Sequence, residues 1–235
     1  ADNATALPLP AAAEAILDGG GMDSLRSAEG FQFLESAGIP CAPFAEIRTP
    51  GDLATFAARH CLPIVLKIDD AAIAHKSELG GVILGLRTLA EANSALGTLR
   101  CRHPKAPIIA QTMAEGTELI LGMTTDPDFG PLITLGLGGV FTEVFRDTVS
   151  LIPPISPGAA LKALQGLKGY PLLTGARGRK PADLDALTTL IARFSAFAVG
   201  AKDRIAEIEI NPVLAGPDGA VAVDCIALKK AAKNA

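Results

Sequence analysis

Helix-patterned and strand-patterned segments alternate along residues 24–230, and this alternation restricts the fold more than any other feature of the sequence. The run PIVLKI at 63–68 is short, apolar and rich in β-branched residues, which predicts a buried strand. Thr49-Pro50 lies before it and Thr88 to Glu91 lies after it, and both are typical helix starts. Alternating strands and helices favour an α/β chain over an all-α or all-β chain.

The same patterns predict the remaining elements. We expect helices at 24–36, from Pro50, from residue 89 toward His103, from Pro157 and from Leu184 to Gly200. We expect strands at 63–68, 81–86, 106–113, 117–123, 132–137, 205–214 and 220–228. The last two strands flank a short Gly-Pro-Asp-Gly turn, and such an antiparallel hairpin disfavours a purely parallel sheet.

These elements predict a two-lobed α/β chain. Residues 1–23 are rich in Ala and Gly and are expected to form a flexible lead-in or linker. The predicted N-terminal lobe covers residues 24–109, and the predicted C-terminal lobe covers residues 110–235.

Composition excludes several classes of protein. The chain has 235 residues, of which 49% are hydrophobic, and a disordered chain would be far more polar. Its 21 basic and 25 acidic residues give a net charge of −4, which disfavours nucleic-acid binding. No uninterrupted apolar run reaches the roughly 18 residues of a membrane span, so no membrane association is expected. Four scattered cysteines favour reduced thiols and a cytoplasmic protein.

Lys67 is the first candidate for chemistry, because it places a charge inside an otherwise apolar strand. It is either a lysine that extends to solvent from a sheet edge or a clamp for phosphate groups. The loop 69–81 that follows supports the second interpretation. There, Gly80-Gly81 lets backbone N–H groups approach an anion, and Lys76 and Ser77 add side-chain donors.

His75 lies in the middle of this loop. His60 and His103 fall at predicted helix C-termini, where a positive charge suits the helix dipole, but His75 has no such structural role. An imidazole is nucleophilic at neutral pH, so His75 is a candidate phosphoryl acceptor. The alternative is a solvated loop histidine.

A third group of candidates lies in the two closing strands. Alternation puts Glu207, Glu209 and Asn211 on one strand face, and Asp224 on the next strand comes close to Asn211 if the two strands pair. Carboxylate and amide oxygens suit Mg²⁺, which bridges nucleotide phosphates. The alternative is a solvated face without a ligand.

Taken in order, these motifs resemble the ATP-grasp part of the NDP-forming acyl-CoA synthetases, the family that includes ADP-forming acetyl-CoA synthetase. The resemblance covers about residues 24–230. It rests on VLKI at 65–68, HKSELGGVILGL at 75–86, DPDFGP at 126–131, GLGGVFTEVFRD at 136–147, RGRKPADLDAL at 177–187 and EIEINP at 207–212. It implies an ATP-grasp fold, in which two α/β lobes clamp a nucleotide.

The resemblance also implies roles for residues that would bind ATP or ADP. Lys67 would contact the α- and β-phosphates, and the Gly80-Gly81 loop would cover them. Gln111 and Met113 fall where the family's inter-lobe segment meets adenine. Glu118 falls where a carboxylate meets the ribose.

The implied metal and catalytic residues come from both halves of the chain. Asn211 and Asp224 match the Mg²⁺ ligands of the family. His75 matches a histidine thought to be phosphorylated transiently. Glu209 stands where many relatives have Asp, and the resemblance leaves open whether its carboxylate touches the metal or orients His75.

The family reaction converts a carboxylate, CoA and ATP to acyl-CoA, ADP and phosphate, through an acyl phosphate and a phosphohistidine. The family's CoA-binding part is not among these motifs, so a CoA-binding subunit or domain is the expected partner, in a homo- or hetero-oligomer. The alternative function is a non-catalytic regulatory ATP-grasp module, like that of some protein acetyltransferases. A carboxylate–amine ligase is disfavoured, because HKSELGG belongs to the CoA-linked branch.

Overall fold

The computed structural model describes residues 5–19, 23–73, 76–126, 129–139, 147–178 and 180–230. The helices are α1 (Ala11–Asp18), α2 (Ser27–Ser36), α3 (Pro50–His60), α4 (Leu89–Arg102), α5 (Pro157–Gly166), α6 (Tyr170–Leu173) and α7 (Leu184–Ala201), and a 3₁₀ turn spans Ala176–Gly178. The strands are β1 (Ser24–Leu25), β2 (Phe44–Glu46), β3 (Ile64–Ile68), β4 (Val82–Leu86), β5 (Ile108–Thr112), β6 (Thr117–Asp126), β7 (Gly130–Leu137), β8 (Thr148–Leu151), β9 (Ile205–Gly216), β10 (Gly219–Ala222) and β11 (Ile226–Lys229).

The chain divides into two compact units, each built on its own sheet. The smaller unit comprises residues 26–28 and 42–114, and its sheet has the order β2-β5-β3-β4. The larger unit comprises the described residues of 1–25, 29–41 and 115–235. Its sheet has the order β1-β11-β9-β6-β7-β8, with β10 also paired to β9. Every pair of these strands is antiparallel, which agrees with the expectation that the sheet is not purely parallel.

The smaller unit follows its sequence signals closely. Thr49 caps α3 by accepting a hydrogen bond from the Asp52 N–H, and Asp52 completes the capping box. Thr88 caps α4 in the same way from the Glu91 N–H. Both helices pack on one face of the sheet, where they form an apolar core with Ile64, Leu66, Ile68, Ile108 and Ala110.

In the larger unit, helices α2 and α7 contact each other through aromatic side chains. Helix α7 contacts β6, β7, β9 and β10 with a mostly apolar surface. The rings of Phe33 on α2 and Phe197 on α7 are both buried, and their centroids lie 4.7 Å apart. This separation lies within the range of about 4.5–7 Å that favourable aromatic pairs adopt.

The N-terminal segment differs from the expected flexible lead-in, because residues 11–18 form helix α1. Ala13 and Leu17 are buried on the larger unit. The Lys229 ammonium donates to the Leu17 carbonyl at 2.9 Å, and Arg204 forms an ion pair with Asp18 at 2.5 Å. An alanine-rich segment has high helix propensity, and these long-range contacts hold it in place.

Other elements depend on partners that are remote in the sequence. Ser24 and Leu25 form strand β1 against β11 rather than the predicted helix start, so α2 begins at Ser27. The short strands β2 and β8 and the one-turn helix α6 were not predicted. The predicted strand 220–228 is interrupted, because residues 223–225 lie between β10 and β11.

The compact units also divide the chain differently from the predicted lobes. Residues 110–114 belong to the smaller unit, because β5 is an inner strand of its sheet. Residues 29–41 belong to the larger unit, because α2 contributes its aromatic side chains to that core.

Helix α7 is the one described helix that is long and apolar enough to cross a membrane by length and composition alone. More than half of it is buried inside the larger unit. Its apolar surface is therefore accounted for by the core that it forms with the sheet.

The buried aromatic pair leads to a prediction about stability. Replacing Phe33 with Ala removes a fully buried ring and leaves a cavity, so we expect the free energy of unfolding to fall by about 3–5 kcal/mol. Phe129→Ala is the matched control, because that ring is 77% exposed and its loss should change the value by less than about 0.5 kcal/mol. Urea unfolding measures the free energy of unfolding of both variants. Equal losses in the two variants would contradict the packing of Phe33 in the core.

Candidate functional site

Lys67 lies on the face of the smaller sheet that points away from α3 and α4. Its neighbours Leu66 and Ile68 point into the apolar core, so alternation puts Lys67 on the opposite face. The residue is nevertheless only 6% exposed. The interpretation as a lysine extending from a sheet edge is wrong for this structure, because β3 is an inner strand paired with both β4 and β5.

Gln111 holds the Lys67 ammonium. In β5, Gln111 lies opposite Val65 and Ile109 lies opposite Lys67, so the lysine and the glutamine share one face. Lys67 Nζ donates to Gln111 Oε1 at 2.7 Å, and Gln111 Nε2 donates to the Ala42 carbonyl at 3.2 Å. Gln111 is fully buried. Its side chain faces the lysine in this structure.

Gly80 and Gly81 shape the turn that leads into β4. Gly80 has a φ of +63°, which favours glycine. A Cβ on Gly81 would lie 2.6 Å from the side chain of Ile68, so the core also requires a glycine there. The Gly80 N–H donates to the Ser77 carbonyl and the Gly81 N–H to the Lys76 carbonyl. Because both N–H groups are used inside the loop, covering a phosphate would require the loop to rearrange.

A buried acid, Asp69, was not singled out from the sequence. It follows β3 two residues after Lys67, and its carboxylate accepts hydrogen bonds from the Ala28 N–H at the start of α2. Arg26 Nη1 lies 3.7 Å from Asp69 Oδ2, and Lys76, itself buried, donates through its ammonium to the Ser27 hydroxyl. The period-2 pattern that places Lys67 on this face could have identified Asp69 as well.

The charge on Asp69 is influenced by opposing effects. Burial of the side chain raises its pKa above the ordinary value of 3.8. The positive charges of Arg26 and Lys76 and the N–H groups of Ser27 and Ala28 act in the opposite direction. The smaller unit thus carries a charged network next to β3, in which Asp69 and Lys76 are buried and Arg26 is half-buried.

The larger unit brings the acidic candidates to one sheet face. In β9, Ile208 and Ile210 are buried, whereas Glu207 and Glu209 are half-buried and Asn211 is exposed. Asn211 Nδ2 donates to Glu209 Oε1 at 3.1 Å, so these two side chains are in contact. The predicted alternation along this strand is confirmed.

Asp224 lies beside this face, in the break between β10 and β11 and not in a strand. Ala222 pairs with Val213 and Ile226 pairs with Glu209, so the register is the same on both sides of the break. Asp224 therefore occupies the position opposite Asn211. Its carboxylate accepts a hydrogen bond from the Cys225 N–H at 3.0 Å.

These residues provide a set of donors that fits Mg²⁺. Glu209 and Asp224 offer carboxylate oxygens and Asn211 offers an amide oxygen, all of which are hard ligands. Within the described part of the chain, no three His, Cys, Asp or Glu side chains form a cluster that could hold a metal ion. Mg²⁺ does not need such a cluster, because it usually takes one or two carboxylates and completes its shell with water and phosphate.

Glu118 shares this face and is packed against a glycine pair. It is exposed and pairs with Leu214, whereas its neighbour Leu119 is buried on the other side. The Gly138 N–H donates to the Glu118 carbonyl at 2.7 Å. A Cβ on Gly139 would lie 2.9 Å from Glu118 Oε2, so these glycines leave room for the carboxylate.

Two candidates from the sequence remain, Met113 and His75. Met113 follows β5 directly and is 36% exposed. His75 lies outside the described residues, so its role stays a prediction. The structure thus gathers Lys67 and Gln111 in the smaller unit, and Glu118, Glu209, Asn211 and Asp224 in the larger unit.

Comparison with known proteins places this chain among nucleotide-dependent ligases. An ATP-grasp domain family matches residues 17–227. The chain is 37% identical over 204 residues to the ADP-forming acetate–CoA ligase I subunit beta of Pyrococcus furiosus, covering 83% of this chain and 88% of that subunit. It is 38% identical to the ADP-forming acetate–CoA ligase I of Archaeoglobus fulgidus, covering 90% of this chain but only 31% of that protein.

Solved structures agree with this placement. Acetyl-coenzyme A synthetase 1 of Ca. Korarchaeum cryptofilum, in complex with coenzyme A and Ca-AMPCP, matches with a TM-score of 0.82 and 34% identity over 92% of this chain and 97% of that chain. The same protein in complex with coenzyme A and Mg-AMPPCP matches over the same shares at 34% identity, with a TM-score of 0.77.

The buried acid leads to a prediction about pH. Between 3.8 and the raised pKa of Asp69 in the fold, the folded state binds the extra proton. The contribution of Asp69 to the free energy of unfolding therefore falls as the pH rises through this window. Asp69→Asn should remove that slope, so the variant gains stability relative to the parent chain as the pH rises.

Chemical unfolding at a series of pH values measures this difference. Asp218→Asn, in the exposed turn before β10, is the control and should leave the slope unchanged. A parallel pH profile for the parent and Asp69→Asn would contradict the prediction.

Proposed function

Because the chain belongs to the ATP-grasp family, alongside the β subunits of ADP-forming acetate–CoA ligases, we propose that it is the nucleotide-binding part of an ADP-forming acyl-CoA synthetase. The observation that carries the proposal is the buried Lys67 ammonium, held by Gln111 at 2.7 Å on the polar face of the smaller sheet. A cation that is largely shielded from bulk water is suited to an anionic ligand.

The family and the fold predicted from the sequence are confirmed. The ATP-grasp match covers most of the chain, and the Korarchaeum structures superpose on nearly all of it. Both units combine helices with an antiparallel sheet, in agreement with a mixed α/β fold.

We propose that the nucleotide is ATP or ADP, and the complexes of the Korarchaeum relative with Ca-AMPCP and Mg-AMPPCP support this choice. Lys67 would bind the α- and β-phosphates, with Gly80 and Gly81 covering them after the loop has rearranged. Met113 is accessible enough to contact adenine, and the Glu118 carboxylate, for which Gly139 leaves room, would accept a hydrogen bond from the ribose.

Asn211 and Asp224 would hold Mg²⁺, with Glu209 as a further ligand or as the group that orients His75. When bound, the metal would offset negative charge on the phosphates. The residues of this chain position the phosphoryl group and the groups around it, which is the main contribution of proteins to phosphoryl transfer.

We propose that the phosphoryl group passes from ATP to a histidine of this chain. A neutral imidazole nitrogen of His75 would attack the γ-phosphorus. A nitrogen–phosphorus bond forms, the bond from the γ-phosphorus to the β,γ-bridging oxygen breaks, and ADP leaves. The complete synthetase reaction would convert a carboxylate, CoA and ATP to acyl-CoA, ADP and phosphate.

A CoA-binding subunit or domain would complete the enzyme. The subunit beta relative is matched over most of its length, whereas the Archaeoglobus relative is matched over less than a third. The similarity therefore covers one part of a larger synthetase, and the CoA-binding part is proposed as the partner. The chain alone is expected to bind nucleotide without forming acyl-CoA.

The proposal predicts that Lys67 contributes to nucleotide affinity through the phosphates. Lys67→Met removes the charge and keeps the length of the side chain, so ADP should bind at least about tenfold more weakly, as expected for a lost charge-assisted hydrogen bond. Adenosine, which has no phosphate, should bind with unchanged affinity. Isothermal titration calorimetry with Mg²⁺ present measures both affinities.

Lys162→Met is the matched control, because Lys162 is exposed on α5. It should leave ADP affinity unchanged. If Lys67→Met binds ADP as tightly as the parent chain does, Lys67 is not the phosphate ligand.

The proposal also predicts that His75 accepts phosphate. Incubation with Mg²⁺ and γ-³²P-labelled ATP should attach an acid-labile, base-stable label to the parent chain. His75→Ala should abolish the label, because the nucleophile is lost. His60→Ala, at the end of α3, should retain it.

The two functions considered from the sequence give different results in this experiment. A chain that binds ADP but takes up no label fits the regulatory module and contradicts the catalytic proposal. A label that persists in His75→Ala places the acceptor elsewhere.

A further inference from the structure

We propose that Gln111 is a positioning residue that holds the Lys67 ammonium for the nucleotide phosphates and does not itself contact the nucleotide. The inference rests on the proposed function of Lys67 as a phosphate ligand. It assigns the fully buried Gln111 side chain a role different from the adenine contact that the sequence resemblance implied.

The two hydrogen bonds of Gln111 determine how its amide is oriented. An ammonium only donates, so the amide oxygen must face Lys67, and a carbonyl only accepts, so the amide nitrogen must face Ala42. The distances of 2.7 Å and 3.2 Å fit this assignment. The amide is thus anchored to the backbone at one end and directs its oxygen to the lysine at the other.

The anchor itself lies next to the edge strand of the smaller sheet. Ala42 precedes β2, and Phe44 in β2 pairs with Gln111 across the sheet. The backbone of Gln111 also pairs with Val65 in β3. Paired strands on both sides of β5 leave the glutamine little freedom to move.

The Gln111 amide is neutral and therefore adds no negative charge next to Lys67. A carboxylate at this position would form a buried ion pair with Lys67 and would reduce its attraction for phosphate. An amide oxygen hydrogen-bonds the ammonium without cancelling its charge. It also restrains a long side chain that would otherwise lose rotamer entropy when it binds a ligand.

Two substitutions separate these contributions. Gln111→Met keeps the length of the side chain and removes both hydrogen bonds. Gln111→Glu keeps the shape, adds a negative charge beside Lys67 and removes the donor to the Ala42 carbonyl. Gln165→Glu, at an exposed glutamine on α5, is the matched control for the added charge.

The affinities of ADP and adenosine, measured with Mg²⁺ by calorimetry, test the proposal. We expect Gln111→Glu to weaken ADP binding by about tenfold, and Gln111→Met to weaken it by a smaller factor. Both variants should bind adenosine as the parent chain does, because only the phosphate ligand is disturbed. Gln165→Glu should match the parent for both compounds.

A double-mutant cycle tests whether Gln111 acts through the lysine. In the Lys67→Met background, Gln111→Met should cause no further loss of ADP affinity, because the group that it positions is absent. An additional loss there would mean that Gln111 contacts the nucleotide or supports the fold, and would overturn the inference.

These measurements separate the positioning role of Gln111 from the proposed role of Lys67 as a phosphate ligand. If Lys67→Met leaves ADP affinity unchanged, the proposed role of Lys67 fails. If Lys67→Met weakens ADP binding and both Gln111 variants do not, only the positioning role fails. An equal loss of ADP and adenosine affinity in the Gln111 variants also overturns the positioning role. If thermal melting shows that Gln111→Met is unfolded, the affinities of Gln111→Glu test the positioning role instead.

Discussion

A positive charge buried on an inner strand is the constraint around which the smaller unit is arranged. Lys67 alternates with Leu66 and Ile68, whose side chains complete the apolar core under α3 and α4. If β3 shifted its register by one residue, the ammonium of Lys67 would lie in that core. An unpaired buried charge costs on the order of several kcal/mol or more, so this shift is strongly disfavoured. The position of Lys67 is therefore maintained by the packing of its neighbours, and its orientation is maintained by Gln111.

The larger unit places acidic side chains on one face of its sheet without burying them. Ile208 and Ile210 anchor β9 to the core, and Glu209 and Asn211 project from the opposite face. Asp224 faces Asn211 because the strand is interrupted there without a change of register. Glu118 joins them because Gly138 and Gly139 allow the backbone to pass close to its side chain.

Much of this arrangement could be predicted from short stretches of sequence. Threonine caps, β-branched runs and strand alternation are local signals, and they predicted α3, α4, β3 and the polar face of β9. Features that depend on remote partners could not be predicted from such signals, and three of them illustrate this. Asp69 looked like a loop residue because its partners at Arg26 and Ala28 are about 40 positions away. Helix α1 looked flexible because its stabilising contacts come from Arg204 and Lys229. Gln111 matched an adenine-binding segment, while its side chain is turned to Lys67.

The sequence by itself determined the family, the mixed α/β fold and the identity of the candidate residues, because these follow from motifs and periodicities within a few turns of chain. Only the tertiary structure decided which polar groups meet. Lys67 and Gln111 are 44 positions apart, and their contact exists because β3 and β5 pair in one particular register. Strand pairing and burial are long-range effects, so the partner of a buried charge is a property of the folded sheet rather than of its neighbours in the chain.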